Sequence, residues 1–228
     1  MKQIILLHGA IGASDQLYPL SFELKSKGYE CFTLDFSGHG EKSFTNGFGI
    51  AAFADELESF IKSNNLKQPH VFGYSMGGFV ALYLVSKRQD LLGSIVTLGT
   101  KFEWSPEIAA KEIKMLDPVT ISEKVPKFAE ALEKRHGEKW KLLLQKTAEM
   151  MLELGRNNAL TENEYAKISN RVLIGLADND TMVSRDETNF VAANIRNAKQ
   201  FGLAETKHPI ETVNPKQLGE IIIQFIEA

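Results

Sequence analysis

The order in which short and long hydrophobic periods follow one another leaves few folds open to this chain. Six brief apolar, β-prone runs (Gln3 to Leu7, Cys31 to Leu34, His70 to Tyr74, Gly93 to Leu98, Arg171 to Leu176 and Lys199 to Leu203) are separated by longer segments. Several of those segments have helical period: about Asp15 to Lys27, Gly49 to Asn64, Met76 to Lys87, Arg185 to Asn194 and Asn214 to Ile226. Single strands alternating with helices predict βαβ units around one sheet, because parallel neighbours need a crossover long enough to hold a helix. The expected fold is α/β: a mostly parallel sheet of about six strands with helices on both faces. A chain of 228 residues is ordinary for one such domain and can bury roughly 70 to 75% of its unfolded surface. Residues 1–228 therefore read as a single domain.

The alternation fails in one stretch. Residues 101–169 hold no run of strand character, only proline-interrupted helical segments rich in Lys and Glu, and they read as an insertion. Along Trp140, Leu143, Leu144, Thr147, Met151 and Leu154 the spacing makes one apolar helical stripe. Glu138, Glu149 and Glu153 dilute the basic face that a lipid surface favours, so this helix is expected to pack on the domain. With 26 basic and 29 acidic residues intermixed, the net charge is only −3, and no basic stripe suggests nucleic acid as a partner. The segment Met1 to Gly9 carries an apolar run too short for a signal-peptide core and reads as the first strand. No stretch approaches the roughly 20 apolar residues that cross a bilayer. A cytoplasmic protein without a membrane partner is expected. Cys31 cannot form an internal disulfide and reads as a packing residue. Nothing in the sequence demands an oligomer, and a monomer is compatible with it.

One segment carries chemistry. After His70-Val71-Phe72 comes Gly73-Tyr74-Ser75-Met76-Gly77-Gly78, and then the helical run Phe79 to Val85. In a strand, sharp turn, helix context the serine hydroxyl is lifted above the sheet edge, and glycines flank it because a Cβ there would strike the adjoining strand and helix. The serine also lies at a helix N-terminus, where free N–H groups can stabilise a developing oxyanion. The competing reading is a glycine-rich turn with Ser75 as a cap.

On these residues the chain resembles the α/β-hydrolase superfamily over essentially its whole length, and within it the serine-hydrolase, esterase-like branch with a helical lid. His8-Gly9-Ala10 is similar to the family's HG-x oxyanion loop, and Asp35 to Ser43 is similar to its D-x-x-G-x-G-x-S stretch. The resemblance implies an oxyanion hole formed by the backbone N–H groups of Ala10 and Met76, each such donor contributing about 3 kcal/mol to a transition state. A serine nucleophile needs a histidine base. His8 and His39 lie in glycine loops where family members carry them structurally, His70 precedes a strand, and His136 sits in the charged insertion. His208 remains, after the last strand-like run, with Pro209 biasing it toward extended backbone. Two aspartates, Asp178 and Asp180, follow Val172 to Ala177. The family's D-x-x-V pattern fits Asp180 with Val183, and Asp178 falls where a turn residue is common. The implied triad is Ser75, Asp180 and His208, in the chain order this fold uses, with Asp178 as the alternative acid.

An insertion at this point commonly forms a lid in the family. Phe102, Trp104, Met150, Met151 and Met182 are candidates for an apolar acyl or alcohol pocket, with core packing as the competing reading for each. Lys101, Glu103 and Trp104, just beyond Gly99, are expected to line its entrance. The leading expectation is hydrolysis of a small or medium carboxylic ester, or a related acyl bond, through an acyl-enzyme on Ser75, with a small-molecule acyl substrate. No metal and no organic cofactor are expected: there is no H-E-x-x-H or paired C-x-x-C, and no lysine follows Gly73 to Gly78 to hold a nucleotide. Serine at the elbow argues against the haloalkane dehalogenase branch, which needs a carboxylate there. One alternative keeps the fold and triad but acts on a C–C or thioester bond. Another is a ligand-binding member with a vestigial triad, against which stands the presence of all three residues.

Overall fold

Ile4 and Leu6 face one side of the first strand and Ile5 and Leu7 the other, and all four are fully buried. A strand covered on both faces reads as a continuous apolar run instead of an alternating one, which is the mark of a parallel sheet inside two layers of helix. The structure, a computed structural model, describes residues 2–45 and 47–228, so Met1 lies outside it. The strands are β1 (Gln3–Leu7), β2 (Glu30–Leu34), β3 (His70–Tyr74), β4 (Ile95–Leu98), β5 (Val172–Ala177) and β6 (Ala198–Leu203). They form one sheet in the order β2-β1-β3-β4-β5-β6, and every pairing is parallel.

The helices are α1 (Tyr18–Ser26), α2 (Ile50–Ser63), α3 (Met76–Lys87), α4 (Pro106–Glu112), α5 (Pro118–Lys124), α6 (Pro126–His136), α7 (Trp140–Arg156), α8 (Glu162–Ala166), α9 (Arg185–Asn194) and α10 (Pro215–Glu227). On one face Leu20 and Leu24 of α1 and Leu218, Ile222 and Phe225 of α10 pack with Ile4, Leu6, Phe72 and Val96. On the other, α2, α3 and α9 pack with Ile5, Leu7, Val71, Ile95 and Ile174. No helix among the described residues is long and apolar enough to cross a membrane.

Two expected elements are shorter than the apolar pattern suggests. The β4 strand begins at Ile95 instead of Gly93, because Gly93 N–H bonds Pro69 O and Ser94 N–H donates to the His70 ring at 3.1 Å. The helix expected from Asp15 opens as a 3-10 turn over Ser14–Leu17, and α1 proper starts at Tyr18 with Pro19 in its first turn.

Residues 101–169 contain α4 to α8 and no strand. Pro106, Pro118 and Pro126 each open a helix, where the missing N–H costs nothing. Ser105 and Asp117 cap two of them through Ile108 N–H and Thr120 N–H. This segment has a small core of its own: Leu116, Ile121, Ala129, Leu132, Trp140 and Leu144. The C-terminal half of α7, through Met150 and Leu154, joins the main core. Gly155 lets α7 close on α4, since a Cβ there would lie 2.6 Å from that of Ala109.

The sheet order places the turn at which the chain reverses its winding beside β1, with β2 on one side and β3 on the other. In open parallel sheets the crevice above such a point, at the carboxyl ends of the strands, is where ligands bind.

Candidate active site

Ser75 joins β3 to α3 at φ +50°, a backbone region that a residue with a Cβ adopts only under constraint. The constraint comes from its neighbours. Ser75 N–H donates to Leu98 O at 2.9 Å, and Thr100 Oγ1 donates to Ser75 O at 3.0 Å. The flanking glycines are sterically required: a Cβ on Gly73 would stand 2.5 Å from Gly78 Cα, and one on Gly77 2.5 Å from Leu7 O. The turn therefore fixes Ser75 between the ends of β1 and β4, half-buried and lining a cavity.

Asp180 follows β5 and His208 follows β6. His208 Nδ1–H donates to Asp180 Oδ2 at 2.7 Å, and Asp180 Oδ1 accepts from Met182 N–H at 2.8 Å and Val183 N–H at 3.0 Å. The Asp180 side chain is 1% exposed and that of His208 11%. Burial acts to raise the carboxyl pKa, but the His208 bond and charge and the two backbone donors outweigh it, and the net direction is down. Asp178 is elsewhere: exposed and paired with Arg185 at 3.1 Å. Gly99, at φ +59° beyond β4, makes room for the pair, since a Cβ there would lie 3.2 Å from the His208 ring. Fixing Nδ1 as the donor leaves Nε2 of a neutral ring as the acceptor. Ser75 and His208 line the same cavity, though no hydrogen bond joins them among the described residues, and such bonds commonly tighten only with substrate.

Ala10 and Met76 also line this cavity. Met76 is the first residue of α3, whose N–H has no partner within the helix. Ala10 lies in a turn closed by Gly12 N–H donating to Gly9 O at 3.1 Å. His8 braces that turn: fully buried, it donates through Nδ1 to Gly9 O at 2.8 Å and accepts Phe36 N–H at Nε2 at 3.2 Å. Burial lowers its pKa, and the neutral tautomer satisfies both bonds.

The cavity measures about 280 Å³, with Ile50, Phe79, Leu116, Met150, Met151 and Leu154 as apolar wall and Trp104, Lys101 and Met182 nearby. Phe102 requires correction. It is 3% exposed, sets its ring edge-on to Tyr165, and faces an adjacent cavity together with Glu103. The cause is Glu187, whose Oε2 accepts the N–H groups of both Phe102 and Glu103 at 2.8 Å and turns this stretch away from Ser75. Trp104 borders both cavities. Lys101 donates to Met182 O at 2.9 Å and pairs with Glu112 at 3.7 Å, tying the insertion to the Asp180 loop.

Sequence reasoning missed Tyr74 and His136. Tyr74 Oη donates to His208 O at 3.1 Å, with its ring 5.5 Å from the imidazole. Its place beside Ser75 was a usable signal, because a residue at the carboxyl end of a central strand lies beside the loops that follow the neighbouring strands. For His136 no local signal existed, since its contacts, Ile11 and Gly40, are distant in sequence.

A family model described as alpha/beta hydrolase fold matches residues 2–171. Ethanol acetyltransferase 1 of Hanseniaspora uvarum is 29% identical over 111 residues, which is 47% of this chain and 32% of that protein. The pimeloyl-[acyl-carrier protein] methyl ester esterase of Neisseria meningitidis is 30% identical over 95 residues, 42% of this chain and 35% of the relative. The chain thus spans about a third of the length of these relatives. Among solved structures, the enol-lactonase of Burkholderia xenovorans superposes with a TM-score of 0.81 at 16% identity, over 100% of this chain and 92% of that one.

Proposed function

The chain belongs to the alpha/beta hydrolase fold family, and from that premise we propose that it is a serine hydrolase acting on a small or medium carboxylic ester or related acyl bond. The observation that carries this reading is the convergence of a left-handed Ser75 and an Asp180-bound His208 on one apolar cavity. The relatives' named activities, methyl ester hydrolysis and acetyl transfer to ethanol, both turn on an acyl centre and support it.

In the reaction, Ser75 Oγ adds to the acyl carbon as its proton passes to His208 Nε2. Asp180 holds the ring in its tautomer and stabilises the imidazolium. The carbonyl oxygen, now negative, accepts hydrogen bonds from Ala10 and Met76 N–H. His208 returns the proton to the departing alcohol, leaving an acyl-enzyme, and water then repeats the sequence to release the acid. The apolar wall takes the acyl chain, and residues 101–169 act as the lid that selects it.

The test is labelling with a fluorophosphonate beside a Ser75→Ala control, with the adduct located by mass spectrometry, followed by turnover of p-nitrophenyl butyrate. One adduct on Ser75 and turnover lost in the control are expected. Folded protein that takes up no probe would refute the reading.

A further inference from the structure

The turn that carries Ala10 contains an anomaly. Its third residue is Ile11 at φ +52°, a position that ordinarily takes glycine or asparagine and that a β-branched side chain occupies only when held there. What holds it comes from residues 101–169. His136, the last residue of α6, donates through Nε2 to Ile11 O at 2.9 Å and accepts Gly40 N–H at Nδ1 at 3.0 Å. The Ile11 side chain packs against the insertion's own core.

Contacts on either side fix the end of α6 in place. Arg135 Nε reaches both oxygens of Asp15, at 3.1 and 3.2 Å, and Lys139 Nζ donates to the carbonyls of Gly40 and His136. His136 itself is 2% exposed, with its ring centroid 6.2 Å from that of His39. Both carbonyls flanking Ala10 are therefore anchored by a histidine, Gly9 O by His8 from the same turn and Ile11 O by His136 from the insertion. Ala10, between them, lines the cavity.

We propose that His136 is a positioning residue for the oxyanion hole: by holding Ile11 in its left-handed conformation it aims Ala10 N–H at the site above Ser75. The proposal rests on the acyl-transfer reading. It also makes the insertion a working part of the catalytic frame, beyond its role as a cover. The effect belongs to kcat and not to KM, because an oxyanion donor acts on charge that exists only after attack.

The test compares variants in an enzyme whose Ser75 has first been shown to take up fluorophosphonate, so that failure of the hydrolase reading is detected separately. His136→Phe keeps a ring in the buried site and removes both nitrogens. It is expected to lower kcat for p-nitrophenyl butyrate about 10- to 100-fold, short of or equal to the loss of one donor, with KM changed less than about twofold. Two further variants separate positioning from packing. His136→Gln supplies an N–H donor and a carbonyl acceptor and is expected to recover most of the lost kcat. Ile11→Gly, in the His136→Phe background, puts a residue at home in this conformation at the strained position and is expected to restore kcat as well. Wild-type kcat in a folded His136→Phe protein would overturn the proposal. So would a loss of kcat that neither rescue reverses and that follows the fall in melting temperature across the set.

Discussion

Ser75, Asp180 and His208 stand at the ends of strands, whereas Trp104, Met150 and Met151 stand in residues 101–169, and the two sets are held by different means. The strand-borne groups are fixed by backbone geometry and hydrogen bonds: the left-handed turn at Ser75, the two N–H donors on Asp180, the Tyr74 bond to His208 O. The insertion-borne side chains are held by apolar packing, Met150 and Trp104 against the main core and Met151 against the insertion's own. Packing tolerates a change of shape more readily than a hydrogen-bonded constellation tolerates a missing partner. Chemistry should therefore be sensitive to single atoms on the sheet side, and selectivity adjustable on the insertion side.

The largest expected effect breaks that comparison at the sheet. Asp180→Asn leaves the side chain's shape but offers an amide where His208 Nδ1–H needs a carboxylate, and kcat should fall by roughly 10³ to 10⁴. Asp178→Asn, two residues away, removes only an exposed pair with Arg185, worth at most about 1 kcal/mol of stability, and should leave kcat unchanged. Steady-state kinetics of the two variants side by side decide between the aspartates. Equal losses would mean that the acid is not fixed as the geometry has it.

The two regions also differed in what the sequence could reveal. The strands β1 and β3 could be bounded to the residue because burial on both faces writes an unbroken apolar run, while β4 lost its first two residues to a hydrogen bond from Ser94 N–H to the His70 ring that no periodicity encodes. Ser75 was legible because its turn needs glycines at fixed offsets. The choice of Asp180 over Asp178 leaned on a family pattern, since the two differ in what they reach and not in local composition. The insertion was legible only as helical. His136 lies in Glu133-Lys134-Arg135-His136-Gly137-Glu138-Lys139, a stretch that reads as solvated, yet its ring is buried against loops far away in sequence. Phe102 was placed in the wrong cavity because its direction is set by Glu187, which lies beyond β5.

The seam between the regions is lined by histidines, and this gives a prediction of intermediate size. Burial is the main cause that lowers the pKa of His8 and takes His39 well below its usual range, and burial, opposed by the bond to Ile11 O and aided by the charges of Arg135 and Lys139, brings His136 down to about 4. In the unfolded chain each ring takes its proton near pH 6.5. Between that value and the folded pKa the unfolded state binds more protons, so stability is full above about pH 6.5 and declines as the pH falls toward 4. Asp180 acts in a separate, more acid window: its lowered pKa contributes stability above the usual carboxylate value, and this is lost only as the pH drops below about 3.8 and through the folded value. Thermal melts from pH 8 to pH 4 should show the decline, and His136→Phe, with one titrating ring fewer, should show a shallower one. Equal slopes in the two proteins would remove His136 from the acid response.

The smallest effect sharpens the comparison on the insertion side. Trp104 is the wall between the 280 Å³ cavity over Ser75 and a neighbouring space of about 550 Å³ bordered by Phe102, Leu160 and Tyr165. Trp104→Ala should join the two and give an acyl chain somewhere to extend, without touching Ser75, Asp180 or His208. Since added apolar contact discriminates by only about 1 to 3 kcal/mol per methylene even in a fitted pocket, and a truncated wall fits loosely, the ratio of kcat/KM for p-nitrophenyl octanoate over acetate should rise by about tenfold or less. The acetate rate itself should hold within about twofold, because its acyl group does not reach the wall. A parallel fall for both esters would mean that Trp104 supports the catalytic frame instead of shaping the pocket, and would move it from the insertion's set to the sheet's.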